Sequence, residues 1–134
     1  NAPRVLAEAM ATHPEMVSGK HRSDLELTRA GRGDCIAKIG AEGLQGIGVR
    51  GAGVGIAIKV IDGNRRALPP IIAAVLDELG LLDAQRREAL TGWFEAPLRN
   101  YRGILTGHLR ATVVLDKTPS TPDARRSPDG GGQS

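Results

Sequence analysis

Aromatic side chains are nearly missing from this sequence: Trp93, Phe94 and Tyr101 are the only three in 134 residues. A compact chain of this length still buries roughly two-thirds of its unfolded surface, so a core can form. It must be built from Ile, Val, Leu and Ala, each of which removes less area from water than a ring does. Cysteine is almost absent too. With Cys35 alone, an intramolecular disulfide is excluded, and so is a Cys-rich zinc site drawn from this chain. A reducing cytoplasm is the expected compartment, and neither a metal nor another cofactor is expected. No stretch approaches the roughly 18 apolar residues of a membrane span, and no basic segment leads into an apolar one at the N-terminus, so neither a membrane nor export is expected. The first residue is Asn1 rather than Met, which suggests an internal fragment. Runs of one charge sign are lacking as well. Eighteen Lys and Arg stand against fifteen Asp and Glu, a net charge of +3, and the cations are scattered. Without a basic cluster there is nothing to drive counterion release from a phosphate backbone, so nucleic acid is not expected as a partner.

What is present divides into two textures. Val5, Leu6, Ala9 and Met10 recur at helical spacing, with Pro3 tolerated near the start, and His13-Pro14 then disfavours continuation. Ser23-Asp24-Leu25-Glu26 fits a capping box for a second helix that Gly31 closes. From Cys35 onward the pattern changes to strand-length apolar runs, at 35–39, 44–49 and 54–61, separated by glycine-rich turns. In the last run Ile56, Ile58 and Val60 share one face and Ala57, Lys59 and Ile61 the other, so helices are expected to cover the first.

The strongest helix signal follows: Leu68, Ile71, Ile72, Val75, Leu76 and Leu79 form one stripe, Pro69-Pro70 sits in the first turn, and Gly80 stops it. Asp83 is placed to cap a further helix to about Thr91. A closing strand is expected over 104–115, with a break near Gly107. No internal repeat is visible. Together these elements predict an α+β fold, a mostly antiparallel sheet of glycine-rich strands with helices packed on it. Residues 1–115 read as one domain portion, and 116–134, rich in Pro, Ser, Gly and Asp, as a disordered tail.

One pattern misleads. Gly46-Ile47-Gly48-Val49-Arg50-Gly51 satisfies G-x-G-x-x-G, but a dinucleotide site needs a helix directly afterwards, and here an apolar strand follows. The glycines are better explained by turns and close strand packing. His13, His21 and His108 lack metal-ligand spacing, Lys59 reads as a strand-face charge, and Cys35 as a small buried hydrophobe.

The most informative segment is Lys38-Ile39-Gly40-Ala41-Glu42-Gly43, followed by Leu44-Gln45-Gly46-Ile47-Gly48 and by Gly55-Ile56-Ala57-Ile58-Lys59-Val60-Ile61-Asp62-Gly63. Upstream stands His13-Pro14-Glu15-Met16-Val17-Ser18-Gly19, and downstream Leu98-Arg99-Asn100-Tyr101-Arg102-Gly103 with Gly107-His108-Leu109-Arg110. In this order the segments resemble the C-terminal portion of the Rhizobium-type (type II) bacterial L-asparaginase family. The last two resemble its closing strand pair.

The resemblance implies a fold similar to serine β-lactamases and glutaminases, in which a Lys-x-Gly strand edges the active site and an upstream serine and lysine supply the nucleophile. Lys38 would take the lysine position as the catalytic residue, acting by electrostatics or proton transfer. Gly40, with no side chain, would let substrate approach the backbone. Glu42 would either hold the turn after the strand or orient Lys38 through a charge-assisted hydrogen bond. Penicillin-recognising relatives carry threonine in the middle of that triplet, where this chain has Ile39. Some members place a metal-binding cysteine in the preceding helix, where Asp24 stands, so no cysteine-based metal site is expected. The Ser-x-x-Lys segment is absent: none of Ser18, Ser23, Ser120, Ser127 or Ser134 is followed three residues later by lysine.

The activity implied is hydrolysis of L-asparagine to L-aspartate and ammonia, with this chain an incomplete and inactive C-terminal portion. The implied partners are L-asparagine for the complete enzyme, a second copy of the chain, or a missing N-terminal half. The alternative is a non-catalytic remnant or association module.

Overall fold

The computed structural model describes residues 1–20 and 22–116. The expected tail at 116–134 lies outside the described residues from 117 onward, as does His21. The architecture is α+β: α1 (Ala2–Thr12), α2 (Pro14–Ser18) and α3 (Ser23–Ala30) precede β1 (Cys35–Ile39), β2 (Leu44–Val49) and β3 (Val54–Lys59). A 3-10 turn at Arg65–Ala67 leads into α4 (Leu68–Glu78), then α5 (Ala84–Ala89), α6 (Thr91–Phe94), β4 (Ala96–Arg99) and β5 (Leu105–Leu109). β1, β2 and β3 form one antiparallel meander in that order, and β4 and β5 form a separate two-stranded ribbon.

The register sorts the side chains. Ala37 faces Ile47, which faces Ile56, and Ile39 faces Gln45, which faces Ile58; these rows point inward. With α4 they build the core, in which Leu68, Ile72 and Ala73 have no exposed surface and Ile47 and Leu76 almost none. Burying a Leu or Ile side chain is worth about 1.5–3 kcal/mol, so this cluster is where a chain poor in aromatics finds its stability. Trp93, the largest side chain, is buried against it. The other rows, Lys38 with Gly46 and Ala57, and Ile36 with Gly48 and Gly55, lie on the opposite face.

Several expected boundaries move, each for a local reason. Pro14 ends α1 but also starts α2, where a missing N–H costs nothing at the first turn. β3 stops at Lys59, and Ile61 is 99% exposed beyond it. The helix expected from Asp83 to Thr91 divides at Leu90, whose burial turns the chain into α6. The closing strand is Leu105–Leu109 rather than 104–115, because its partner β4 supplies pairing only from Ala96 to Arg99.

The capping box at Ser23 does not form. The helix begins at Ser23 itself, with Arg22 in the capping position and no side-chain cap. Glu26 does not reach back; its carboxylate accepts from the indole N–H of Trp93 at 3.1 Å. Gly31 does close α3, and for want of space: a Cβ there would fall 2.2 Å from that of Cys35.

Candidate active site

β1 is an edge strand, so alternate backbone N–H groups point away from the sheet and need partners from elsewhere. The N–H of Gly40 points inward and donates to the carbonyl of Leu44 at 2.8 Å. That of the preceding residue, Ile39, donates instead to Asp24 Oδ2 on α3 at 2.9 Å. Asp24 lies on the face of α3 that also carries the buried Leu27 and Thr28, and this face packs against β1. Its side chain is 1% exposed.

A carboxylate taken so far from water needs donors around it. Asp24 has three. Besides the Ile39 amide, Ser18 Oγ donates to Oδ2 at 2.5 Å and Gln45 Nε2 donates to Oδ1 at 3.2 Å. Gln45 is fully buried, donates also to the carbonyl of Gly46 at 3.0 Å, and its own Oε1 has no partner among the described residues. One side chain on α3 therefore joins the end of α2, the edge of β1 and the middle strand β2.

Lys38 completes the cluster. Its exposed side chain leaves β1 beside Ile39, and its ammonium donates to the carbonyl of Ile39 at 3.0 Å and to Ser18 Oγ at 3.4 Å. It stands at the rim of an open cleft of about 690 Å³ whose other walls include Met10, His13, Met16 and Val17 from α1 and α2. Chemically the arrangement offers a cation beside a hydroxyl, next to apolar surface, with a buried negative charge behind. Such a pair can receive a carboxylate or an amide oxygen.

Gly40 and Glu42 occupy the turn after β1. The absent side chain of Gly40 faces Leu44, whose Cδ2 would lie 3.0 Å from a Cβ there, so any larger residue would crowd the Leu44 side chain. Glu42 adopts a left-handed backbone, φ 52°, ahead of Gly43 at φ 70°, which folds the chain into a tight reversal. Its carboxylate lies 3.9 Å from Lys59 Nζ, its carbonyl also accepts from Lys59, and Lys38 bonds to Ser18 and Ile39. The nucleotide-like glycine pattern spans β2 and the turn into β3, with no helix after it.

Sequence reasoning passed over Ser18, and it placed Asp24 near the site only as the residue standing where some relatives carry a metal-binding cysteine, not as a partner of Ser18 and Lys38. Ser18 has no lysine three residues later, and Asp24 carries the signature of a helix start. Ser18 and Lys38 are 20 residues apart, and only the packing of α2 and α3 along β1 brings them together.

Cys35, within the apolar cluster, behaves differently. Burial pushes the Cys35 thiol up to about 11, against an opposing pull from the Arg86 guanidinium, so Cys35 is a neutral packing residue. No described helix is long and apolar enough to cross a membrane.

Among curated proteins no relative matches the chain. The family model described as L-asparaginase II matches residues 1–111, which takes in every element from α1 to β5 and the whole Ser18, Asp24 and Lys38 cluster, and the chain thus belongs to the L-asparaginase II family.

Proposed function

We propose that this chain supplies one wall of an asparaginase active site, in an enzyme that hydrolyses L-asparagine to L-aspartate and ammonia. A serine attacks the side-chain amide carbon, the C–N bond breaks as the leaving nitrogen takes a proton, and water then hydrolyses the acyl-enzyme. Lys38 is the catalytic residue on this wall. Its ammonium, at the cleft rim and 3.4 Å from the Ser18 hydroxyl, supports that role. It acts on the oxygen where negative charge gathers, or passes a proton. Gly40 and Glu42 form the turn that carries the wall towards the substrate.

The nucleophile is assigned to a Ser-x-x-Lys segment that this sequence does not contain, so the 134-residue chain is proposed to be inactive alone and to act in association with the rest of the site. The test is ammonia release from L-asparagine by the purified, folded chain, beside Lys38→Ala. No release is the expected result. Release abolished by Lys38→Ala would overturn the proposed inactivity and point to Ser18, the serine that Lys38 reaches, with Ser18→Ala as the check. Release indifferent to Lys38→Ala would sink the role of Lys38.

A non-catalytic association module is the second reading. Val5 and Leu6 are 68% and 63% exposed and Met16 82%, leaving apolar surface on α1 and α2 uncovered.

A further inference from the structure

We infer that Asp24 is a positioning residue: through Ser18 and the Ile39 amide it holds the Lys38 ammonium at the rim of the cleft between β1 and α1–α2. This rests on the role proposed for Lys38 and adds a residue to it. An exposed lysine on a strand has a long, rotamer-rich stem and no reason to adopt one position. Two acceptors restrain Lys38, and Asp24 governs both. Ser18 Oγ receives the ammonium at 3.4 Å while giving its own proton to Asp24 Oδ2 at 2.5 Å, so the carboxylate fixes which way the hydroxyl lone pairs face. The carbonyl of Ile39 receives the ammonium at 3.0 Å, and the same residue's N–H is tied to Asp24 Oδ2 at 2.9 Å.

The carboxylate itself cannot drift, because it is 1% exposed and Gln45 Nε2 holds its other oxygen. A purely architectural Asp24 would need only the Ile39 amide and Gln45. The link through Ser18 to an exposed lysine adds nothing to the core and makes sense as control of Lys38.

The experiment follows the ammonium protons of Lys38 by nuclear magnetic resonance on the nitrogen-15-labelled chain at slightly acid pH, with Lys20 and Lys59 as references in the same molecule. Exchange with water at Lys38 is expected to be slower than at Lys20 by about threefold, the scale of one net hydrogen bond. Ser18→Ala, at a half-buried site the core does not need, is expected to lower that protection, since only the Ile39 carbonyl then remains, while leaving Lys59, which pairs with Glu42, unchanged. Asp24→Ala is expected to do the same where it folds. Asp24→Asn is expected to keep it where it folds, because the carbonyl oxygen can take the place of Oδ2 for both Ser18 and the Ile39 amide. Unchanged exchange at Lys38 in Ser18→Ala overturns the inference, as does lost protection in a folded Asp24→Asn. Neither outcome depends on hydrolysis, so the role of Lys38 and its positioning by Asp24 fail separately.

Discussion

The two faces of the β1–β3 sheet are made from the same three strands and do opposite things. Inward, Ala37, Ile47 and Ile58 lock against Leu68, Ile72 and Leu76 of α4 with almost no surface left to water. Outward, the rows are Leu44 and Lys59, then Lys38, Gly46 and Ala57, then Ile36, Gly48 and Gly55: mostly small residues with two cations. The difference teaches how a chain with three aromatic residues divides its labour. Apolar area is scarce, so it is concentrated on one face, and the lysine proposed to act in the site stands at the edge of the other. The catalytic candidate stands at the rim between the two, its side chain outside and its anchor, Asp24, inside.

Breaking the inner face should have the largest effect. Ile47→Ala deletes a buried side chain at the centre of the sheet and is expected to cost about 2–5 kcal/mol, as such truncations do when the cavity cannot collapse. Ala57→Ser, two strands' breadth from Lys38 on the outer face, is expected to stay within about 0.5 kcal/mol. Urea unfolding curves of the two variants, with unchanged slopes, measure both. Equal losses would mean that the outer face is covered in solution and that the contrast is false.

That contrast was half legible before any coordinates. Cys35–Ile39 and Leu44–Val49 could be bounded to the residue, because apolar runs and glycine turns are local signals, and the α4 stripe from Leu68 was plain for the same reason. Lys38 could be singled out only by resemblance. Its bonds to its partners could not be read, since Ser18 sits on a five-residue helix whose opening proline reads equally as a stop, and Asp24 looks like part of a capping box even though the resemblance sets it near the site. Their meeting depends on which way α3 turns its buried face, a long-range packing outcome with no sequence period of its own. Glu42 shows the converse: proximity in sequence suggested Lys38, and the tight turn gave it Lys59.

A smaller effect separates the faces by pH. Cys35 belongs to the inner face, and burial raises its thiol from 9.0 to about 11. The unfolded chain therefore releases this proton first as pH rises. The contribution is complete below about pH 9 and is lost on the way to about pH 11, a fall on the order of 3 kcal/mol. Unfolding free energies across that range for the native chain and Cys35→Ala, compared by slope, should show the fall only in the former. Parallel curves would mean that the thiol reaches water.

The smallest effect lies at the opposite end of the scale, on a solvent-facing helix start. Asp83 accepts from the backbone N–H of Arg86 at 2.8 Å, and this bond, with the nearby Arg86 and Arg32 guanidiniums, holds its carboxyl below the ordinary 3.8. Here the sign reverses. A depressed carboxyl contributes stability above its unfolded value, and that contribution disappears as pH falls through the lower folded one. Asp83→Asn keeps an oxygen for the cap but no proton to gain, so at neutral pH it should stay close to the native chain, whereas Asp83→Ala loses the cap altogether. In acid the native curve should converge on that of the Asn variant, because only the native chain loses a charge. If the two stay parallel down to the acid transition, the cap works as a neutral hydrogen bond and its charge contributes nothing. The thiol in the core would then be the only group of this pair through which pH acts on the fold.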